Sequence, residues 1–249
     1  MRRLLNYLTG RGTVAPVVFD APLAPDEPFV AIGDVHGRDD LLAQLIDRIE
    51  TEAPGCRIVL VGDYIDRGEL SAGVLARLAS RPDLVCLMGN HEAMCLGFLE
   101  DPVREGPRWL ANGGLQTLAS YGIGGLTPGS RAAALDVARD RLRDAMGDGL
   151  IDWLAARPLF WWSGNVAVVH AGANPSLPME EQEERTLIWG HPRFSSQARA
   201  DGIWVVHGHT IQPAPSVEGG RIGIDTGAYA TGRLTAALIA PGEVEFLST

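Results

Sequence analysis

Residues 29–37 read Phe-Val-Ala-Ile-Gly-Asp-Val-His-Gly, four apolar residues followed at once by a glycine, a carboxylate and, two positions on, an imidazole. A bounded apolar run this short, rich in β-branched residues, predicts a buried strand that ends in a polar turn. The pattern recurs along the chain. Ile58 to Val61 leads into Gly62-Asp63-Tyr64-Ile65-Asp66-Arg67-Gly68, and Leu84 to Met88 leads into Gly89-Asn90-His91-Glu92. Val166 to Val169 leads into His170-Ala171-Gly172, and Ile203 to Val206 into His207-Gly208-His209-Thr210. Between the first three runs the period changes to that of a helix: Leu41, Leu42, Leu45, Ile46 and Ile49 follow a possible cap at Asp39-Asp40. Ser71 to Ser80 and His91 to Glu100 are shorter helical candidates. Strands alternating with helices imply an α/β sheet, which places its ligand sites at the carboxyl ends of the strands. All five polar clusters fall there.

The stretch from about 101 to 160 departs from the pattern. Pro102, Pro107 and Asn112-Gly113-Gly114 interrupt it, and Arg131 to Ala156 reads as an amphipathic helix. A helical insertion or cap within a single domain spanning 1–249 is expected. Pro175 to Ala200 reads as loop, with Glu180, Glu181, Glu183 and Glu184 on a solvated surface. Arg221 to Asp225, Arg233 to Ile239 and Val244 to Leu247 are expected to be strands of a second sheet packed on the first. Trp109, Trp161 and Trp162 are read as buried packing rather than an interface.

Composition narrows the function. Hydrophobic residues at 46% and charged residues at 21% describe an ordinary soluble protein. No run approaches the ~18 apolar residues of a membrane span. The amino terminus, MRRLLNYLTGRG, lacks the apolar core of a secretory signal, so the cytoplasm is the expected compartment. Three cysteines form no disulfide framework, and Cys56 and Cys86 read as buried free thiols. A net charge of −10 argues against a general nucleic-acid binder. A phosphorylated substrate would therefore need local positive charge, which bound cations can supply.

Asp34, His36, Asp63, Asn90, His170 and His209 are oxygen and imidazole ligands suited to Mn²⁺, Fe²⁺ or Zn²⁺. A carboxylate such as Asp63 can bridge two ions, and two ions ~3.5–4 Å apart can hold a hydroxide and clamp a phosphoryl group for in-line displacement. The leaving alkoxide needs a proton. His91 directly follows Asn90 and is placed to give one, with Asp66 to fix its tautomer and favour its charged form. Arg67 can grip phosphate oxygens.

These motifs, GDVHG (33–37), GDYIDRG (62–68), GNHE (89–92), HAG (170–172) and HGHT (207–210), resemble the signature series of the phosphoprotein phosphatase family. The likeness is greatest to its compact bacterial and bacteriophage lambda type, within the calcineurin-like metallophosphoesterases. The resemblance implies a four-layer α/β fold with two central mixed β-sheets flanked by helices. It implies two divalent metal ions, Mn²⁺ by preference with Fe or Zn as alternatives. Asp34 and His36 would hold one ion, Asp63 would bridge, and Asn90, His170 and His209 would hold the second. His91 with Asp66 would be the acid pair, and Arg67 and Asn90 would touch the phosphate. His207 is read as structural, and Asp225 as ordering loops. Relatives carry a phosphate-binding arginine shortly after a tryptophan; here Trp189 is followed by Gly190-His191-Pro192-Arg193. By spacing His191 takes that place, and Arg193, two residues on, is the preferred substitute. The expected activity is metal-dependent hydrolysis of phosphoserine and phosphothreonine, with a phosphorylated protein as partner and neither nucleic acid nor membrane. The alternative on the same fold is hydrolysis of dinucleoside polyphosphates or capped RNA, the one case in which a nucleic-acid partner would apply.

Overall fold

The first strand, β1 (Phe29–Ile32), is buried along its whole length. Val30 and Ile32 enter one apolar cluster and Phe29 and Ala31 another, so the strand is covered on both faces. That explains an unbroken apolar run where a half-exposed strand would alternate. In this computed structural model, which describes residues 19–249, β1 pairs in parallel with β2 (Arg57–Leu60), and β2 with β3 (Val85–Cys86). The amino-terminal stretch considered above as a possible signal lies outside the described residues. Helix α1 (Asp39–Glu52) joins β1 to β2, and α2 (Ser71–Ala79) joins β2 to β3. Leu42, Leu45 and Ile49 of α1 pack with Val30 and Ile32 on one side of the sheet.

On the other side Phe29, Ala31, Val59 and Val61 meet Val166, Val168, Val206 and Ile222 of a second sheet. Its strands are β4 (Phe160–Ser163), β5 (Val166–Val169), β6 (Trp204–His207), β7 (Ser216–Glu218) and β8 (Arg221–Gly223), in the order β4-β5-β6-β8-β7. The three central strands are parallel, with antiparallel β4 and β7 at the edges. Its outer face, through Ala167, Val169 and Val205, is covered by Met179, Phe194 and Leu187 of helix α8 (Glu184–Trp189). Helices, sheet, sheet and helix make the four expected layers.

Several expectations need correction. Of the three carboxyl-terminal runs only β8 joins the second sheet. Strand β9 (Thr235–Ala240) returns to the first sheet and pairs antiparallel with β1, and β10 (Glu243–Ser248) pairs with β9. The two strands are joined by Pro241-Gly242 alone, and so short a connection makes them an antiparallel pair in one sheet. The helix expected over Arg131 to Ala156 is two, α6 (Ala132–Met146) and α7 (Asp148–Ala155), separated at Gly147. The segment 101–160 also contains α4 (Pro102–Trp109) and α5 (Leu115–Ser120), which follow α3 (Asn90–Glu100). Leu135, Leu142 and Leu154 share a core cluster with Phe98 and Trp109. The stretch Pro175 to Ala200 is not all loop, since α8 lies in it. Asp39 and Asp40 stand in the first turn of α1 rather than at its cap, where carboxylates favour the helix dipole, and Asp39 is held by Arg77 at 2.7 Å. Trp109 is buried and Trp161 packs edge-on to Phe29, but Trp162 is exposed. All three cysteines are free; Cys86 and Cys95 are buried and Cys56 half-buried. Among the described residues no helix is long and apolar enough to cross a membrane.

The residue after β1 belongs to both sheets. Gly33 donates its N–H to Thr235 O at 2.9 Å, and a Cβ there would lie 2.4 Å from Ile224 O. Gly33→Ala must therefore push the sheets apart at the mouth of the site. We expect it to cost about 1–3 kcal/mol, read as a lower midpoint in thermal denaturation; an unchanged midpoint would show that the sheets part there freely.

Candidate metal centre

The polar clusters that end the strands adopt a backbone that side chains avoid. His36, Asp63, Asp66, Arg67 and His209 have φ of 47°, 53°, 73°, 67° and 64°, and they are the only non-glycine residues with positive φ among those described. Such strain persists only where the surroundings fix it. Here Glu92, fully buried in the first turn of α3, accepts hydrogen bonds from the backbone N–H groups of Asp63 (2.8 Å), Tyr64 (2.8 Å) and Gly89 (3.0 Å). The N–H groups of Val35 and His36 both donate to Asp63 O, at 3.0 and 2.9 Å. One carboxylate and one carbonyl thus lock three loops into a single framework.

Asp63 stands between two groups of donors. Its Oδ2 lies 3.6 Å from His36 Nε2 and 3.8 Å from His91 Nε2, and its Oδ1 lies 3.4 Å from His170 Nε2. The atoms of His36, Asp63 and His91 fall within 4.8 Å of one another, as do those of Asp63, His170 and His209. Asn90 Oδ1 is 2.8 Å from both His170 Nε2 and His209 Nδ1. Asp34 accepts the His209 N–H on both oxygens, at 3.1 and 3.0 Å. Burial raises its pKa, and the charges of Asp225 and Asp63 raise it further.

The chemistry of this set calls for a cation. His170 donates Nδ1–H to Val61 O at 3.1 Å, and His36 donates Nδ1–H to Ile65 O at 2.9 Å. Burial lowers His36 to about 3 and His170 to about 4, so both rings are neutral near pH 7 and their Nε2 atoms carry lone pairs, that of His36 turned to Arg67. The His170 lone pair faces two further acceptors, Asn90 Oδ1 and Asp63 Oδ1. Asp34, Asp63, Asp66, Glu92 and Asp225 are all buried in the same neighbourhood. Carboxylate, amide oxygen and imidazole together fit divalent Mn, Fe or Zn, and the convergence of lone pairs is relieved by such an ion.

Beside the donors lies an acid pair. His91 Nδ1 is 2.6 Å from Asp66 Oδ2, and both residues are buried. Burial alone would lower the pKa of His91, but Asp63 and the bond to Asp66 more than offset it and hold the value above the ordinary one. Arg67 donates to His36 Nε2 at 2.8 Å, and its other terminal nitrogen lies 3.1 Å from His91 Nε2, with its guanidinium against the Tyr229 ring.

The structure thus brings Asp34, His36, Asp63, Asp66, Arg67, Asn90, His91, His170 and His209 together. His207 joins neither donor group and packs edge-on to Phe194. Asp225 accepts Gly227 N–H at 2.8 Å, in keeping with a loop-ordering part. A cavity of about 640 Å³ opens beside His209, and His191, Arg185 and Trp189 line it, whereas Arg193 is exposed and does not. Phe194, the next residue, is buried. Sequence reasoning also missed Glu92, Trp109, Thr117, Arg185 and Tyr229. Only Glu92 carried a signal, a Glu three residues after Gly89 where a helix begins.

The family model described as calcineurin-like phosphoesterase matches residues 27–213. Serine/threonine-protein phosphatase 2 of Escherichia coli is 40% identical over 83 residues, 33% of this chain and 37% of that protein. The symmetrical bis(5'-nucleosyl)-tetraphosphatase of Nitrosomonas europaea is 28% identical over 176 residues, 68% of this chain and 55% of that one. The chain therefore spans about a third to a half of the length of these curated relatives. A solved structure described as a putative diadenosine tetraphosphatase superposes with a TM-score of 0.64 at 21% identity, covering 92% of this chain and 98% of the other, and shares the fold.

If the donors bind as arranged, adding Mn²⁺ to chelated protein should raise the melting temperature in a saturable way. His170→Ala should then hold fewer ions per chain than wild type by elemental analysis. Equal content would remove His170 from the ligand set.

Proposed function

We propose that this chain, which belongs to the calcineurin-like phosphoesterase family, is a metal-dependent protein phosphatase that hydrolyses phosphoserine and phosphothreonine monoesters. The observation that carries this reading is the buried His91–Asp66 pair, 2.6 Å apart. Phosphate monoesters of alcohols depart as poor alkoxides, and protonation of the leaving oxygen is worth about 10²–10⁴ in rate. A phosphoanhydride has a better leaving group and gains less from such a pair.

In this reading Asp34 and His36 would hold one ion, Asn90, His170 and His209 the other, and Asp63 would serve both, with Mn²⁺ as the preferred metal. Bound there, the ions would polarise the phosphoryl oxygens and supply a nucleophile from water at neutral pH. Arg67, beside the two imidazoles, would turn its N–H groups from them to the phosphate oxygens once His36 holds an ion, and so orient the ester. As the bond between phosphorus and the ester oxygen breaks, its electron pair goes to that oxygen, which takes the proton from His91 Nε2. Asp66 keeps the Nδ1 proton throughout and so fixes which nitrogen donates. The products are a free hydroxyl and inorganic phosphate. Arg193, with His191 and Arg185 at the cavity beside His209, is the source of positive or hydrogen-bonding contacts at the second phosphate position. Free cysteines fit a reducing compartment, and we place the protein in the cytoplasm.

Hydrolysis of dinucleoside polyphosphates is the second reading. It is favoured by the relatives of that description, which align over more of the chain than the protein phosphatases do.

Two measurements test the reading. Metal-stripped protein reconstituted with Mn²⁺ should release phosphate from a phosphoserine peptide much faster than it cleaves diadenosine tetraphosphate; the reverse preference moves the function to the second reading. His91→Asn should lower turnover of the peptide by about a hundredfold or more without changing metal content. Near-normal turnover by that variant would remove His91 as the acid.

A further inference from the structure

We propose that the segment from Trp109 to Thr117 is a brace that aims the proton donor and the phosphate-gripping arginine together, so that it governs turnover of esters with poor leaving groups. The inference rests on the reading of His91 as the acid. It concerns a stretch whose sequence shows only a turn, Asn112-Gly113-Gly114, between two short helices.

Every part of this stretch that faces Asp66 and Arg67 makes a directed contact. Trp109, the last residue of α4, donates its indole N–H to Asp66, 2.9 Å from Oδ2 and 3.1 Å from Oδ1. Thr117 in α5 donates its hydroxyl to Asp66 Oδ1 at 2.6 Å and accepts the Asp66 N–H at 2.9 Å. Between them the chain makes a wide helical turn, Leu110–Gly114, in which Gly113 takes a φ of 112° and its carbonyl accepts the Arg67 N–H at 3.3 Å. A Cβ at Gly113 would lie 2.7 Å from Arg67 N and 2.8 Å from Arg67 Cγ, so only glycine lets the turn press against that residue. Turns of this wide form inside helices often mark functional sites.

Asp66 and Arg67 are adjacent and both left-handed, a conformation the local sequence does not favour. They are held from outside. Trp109, Thr117 and Asp66 are fully buried, and no water competes for these bonds. The carboxylate of Asp66 has two oxygens: one is committed to His91, and the other is pinned by Thr117, with the indole spanning both. Its plane cannot turn, and the imidazole that follows it cannot either. Trp109 also stacks at 4.8 Å on Phe98 of α3, the helix that carries His91 at its start. Donor, carboxylate and brace therefore form one rigid unit. Trp109 and Thr117 touch neither phosphate nor metal ligands directly; they are positioning residues.

The test uses the full chain with Mn²⁺ bound. Trp109→Phe keeps an aromatic ring and removes the N–H; Thr117→Val keeps the shape and removes the hydroxyl. Turnover is measured on a phosphoserine peptide, on p-nitrophenyl phosphate and on aryl phosphates of rising leaving-group pKa. We expect both variants to lose about ten- to a hundredfold on the peptide and only a few-fold on p-nitrophenyl phosphate. The rate should depend more steeply on leaving-group pKa, metal content should be unchanged, and Thr117→Ser should restore the wild-type slope. Equal losses on all substrates, or none, overturn the proposal. Should Trp109→Phe fail to fold, Thr117→Val decides alone. A wild type inactive on every monoester removes the proposed function and this inference with it, whereas an active wild type with variants of unchanged slope removes the inference only.

Discussion

One buried carboxylate sets the frame on which the site is built. Glu92 accepts N–H groups from the turn after β2 and from the residue before α3, and without those bonds the left-handed turn at Asp63 would leave its N–H groups unpaired. A buried acceptor with several backbone donors is costly to lose, because each N–H would then be unpaired in a place water does not reach. The same side chain both ends a strand correctly and starts a helix correctly. Everything further out, including the reach of Asp63 toward three imidazoles, follows from that fixed point.

The two sheets contribute unequal halves. Asp34, His36, Asp63, Asn90 and His91 follow strands of the first sheet, while His170 and His209 follow strands of the second. One donor group, His36, Asp63 and His91, follows the first sheet alone, and the other joins Asp63 to His170 and His209 of the second. They meet because the inner faces of the sheets are apolar and interlock, Phe29, Ala31 and Val59 against Val166, Val168 and Ile222. Packing of the core and assembly of the metal centre are one event. Burial then has two chemical consequences: it keeps His36 and His170 neutral, and it leaves several carboxylates close together with little solvent to screen them.

Much of this was legible in the sequence, for a physical reason. Strands buried on both faces are short apolar runs, and ligands at their ends are polar residues that break those runs abruptly, so both signals are local. Asp34, His36, Asp63, Asn90, His91, His170 and His209 all stand at such breaks. What could not be read depends on long separations. Trp109 and Thr117 reach Asp66 across 43 and 51 residues, and nothing near them in the chain announces it. The placing of the last two strands failed likewise, since an alternating run fits either sheet and only the tertiary fold decides which. Between His191 and Arg193 spacing alone does not decide, because the turn that carries them is irregular and its only buried residue there is Phe194.

The pairing of β9 with β1 also bears on how the chain comes together. Phe29 is aligned with Ile239, so one edge of β1 stays without its partner until β9, far along the chain, has been made. An uncovered edge of buried residues can recruit strands from other molecules, and contacts that close so long a loop form slowly. Until β9 pairs, that apolar edge is open to other molecules, and the hairpin of β9 and β10 acts as its seal.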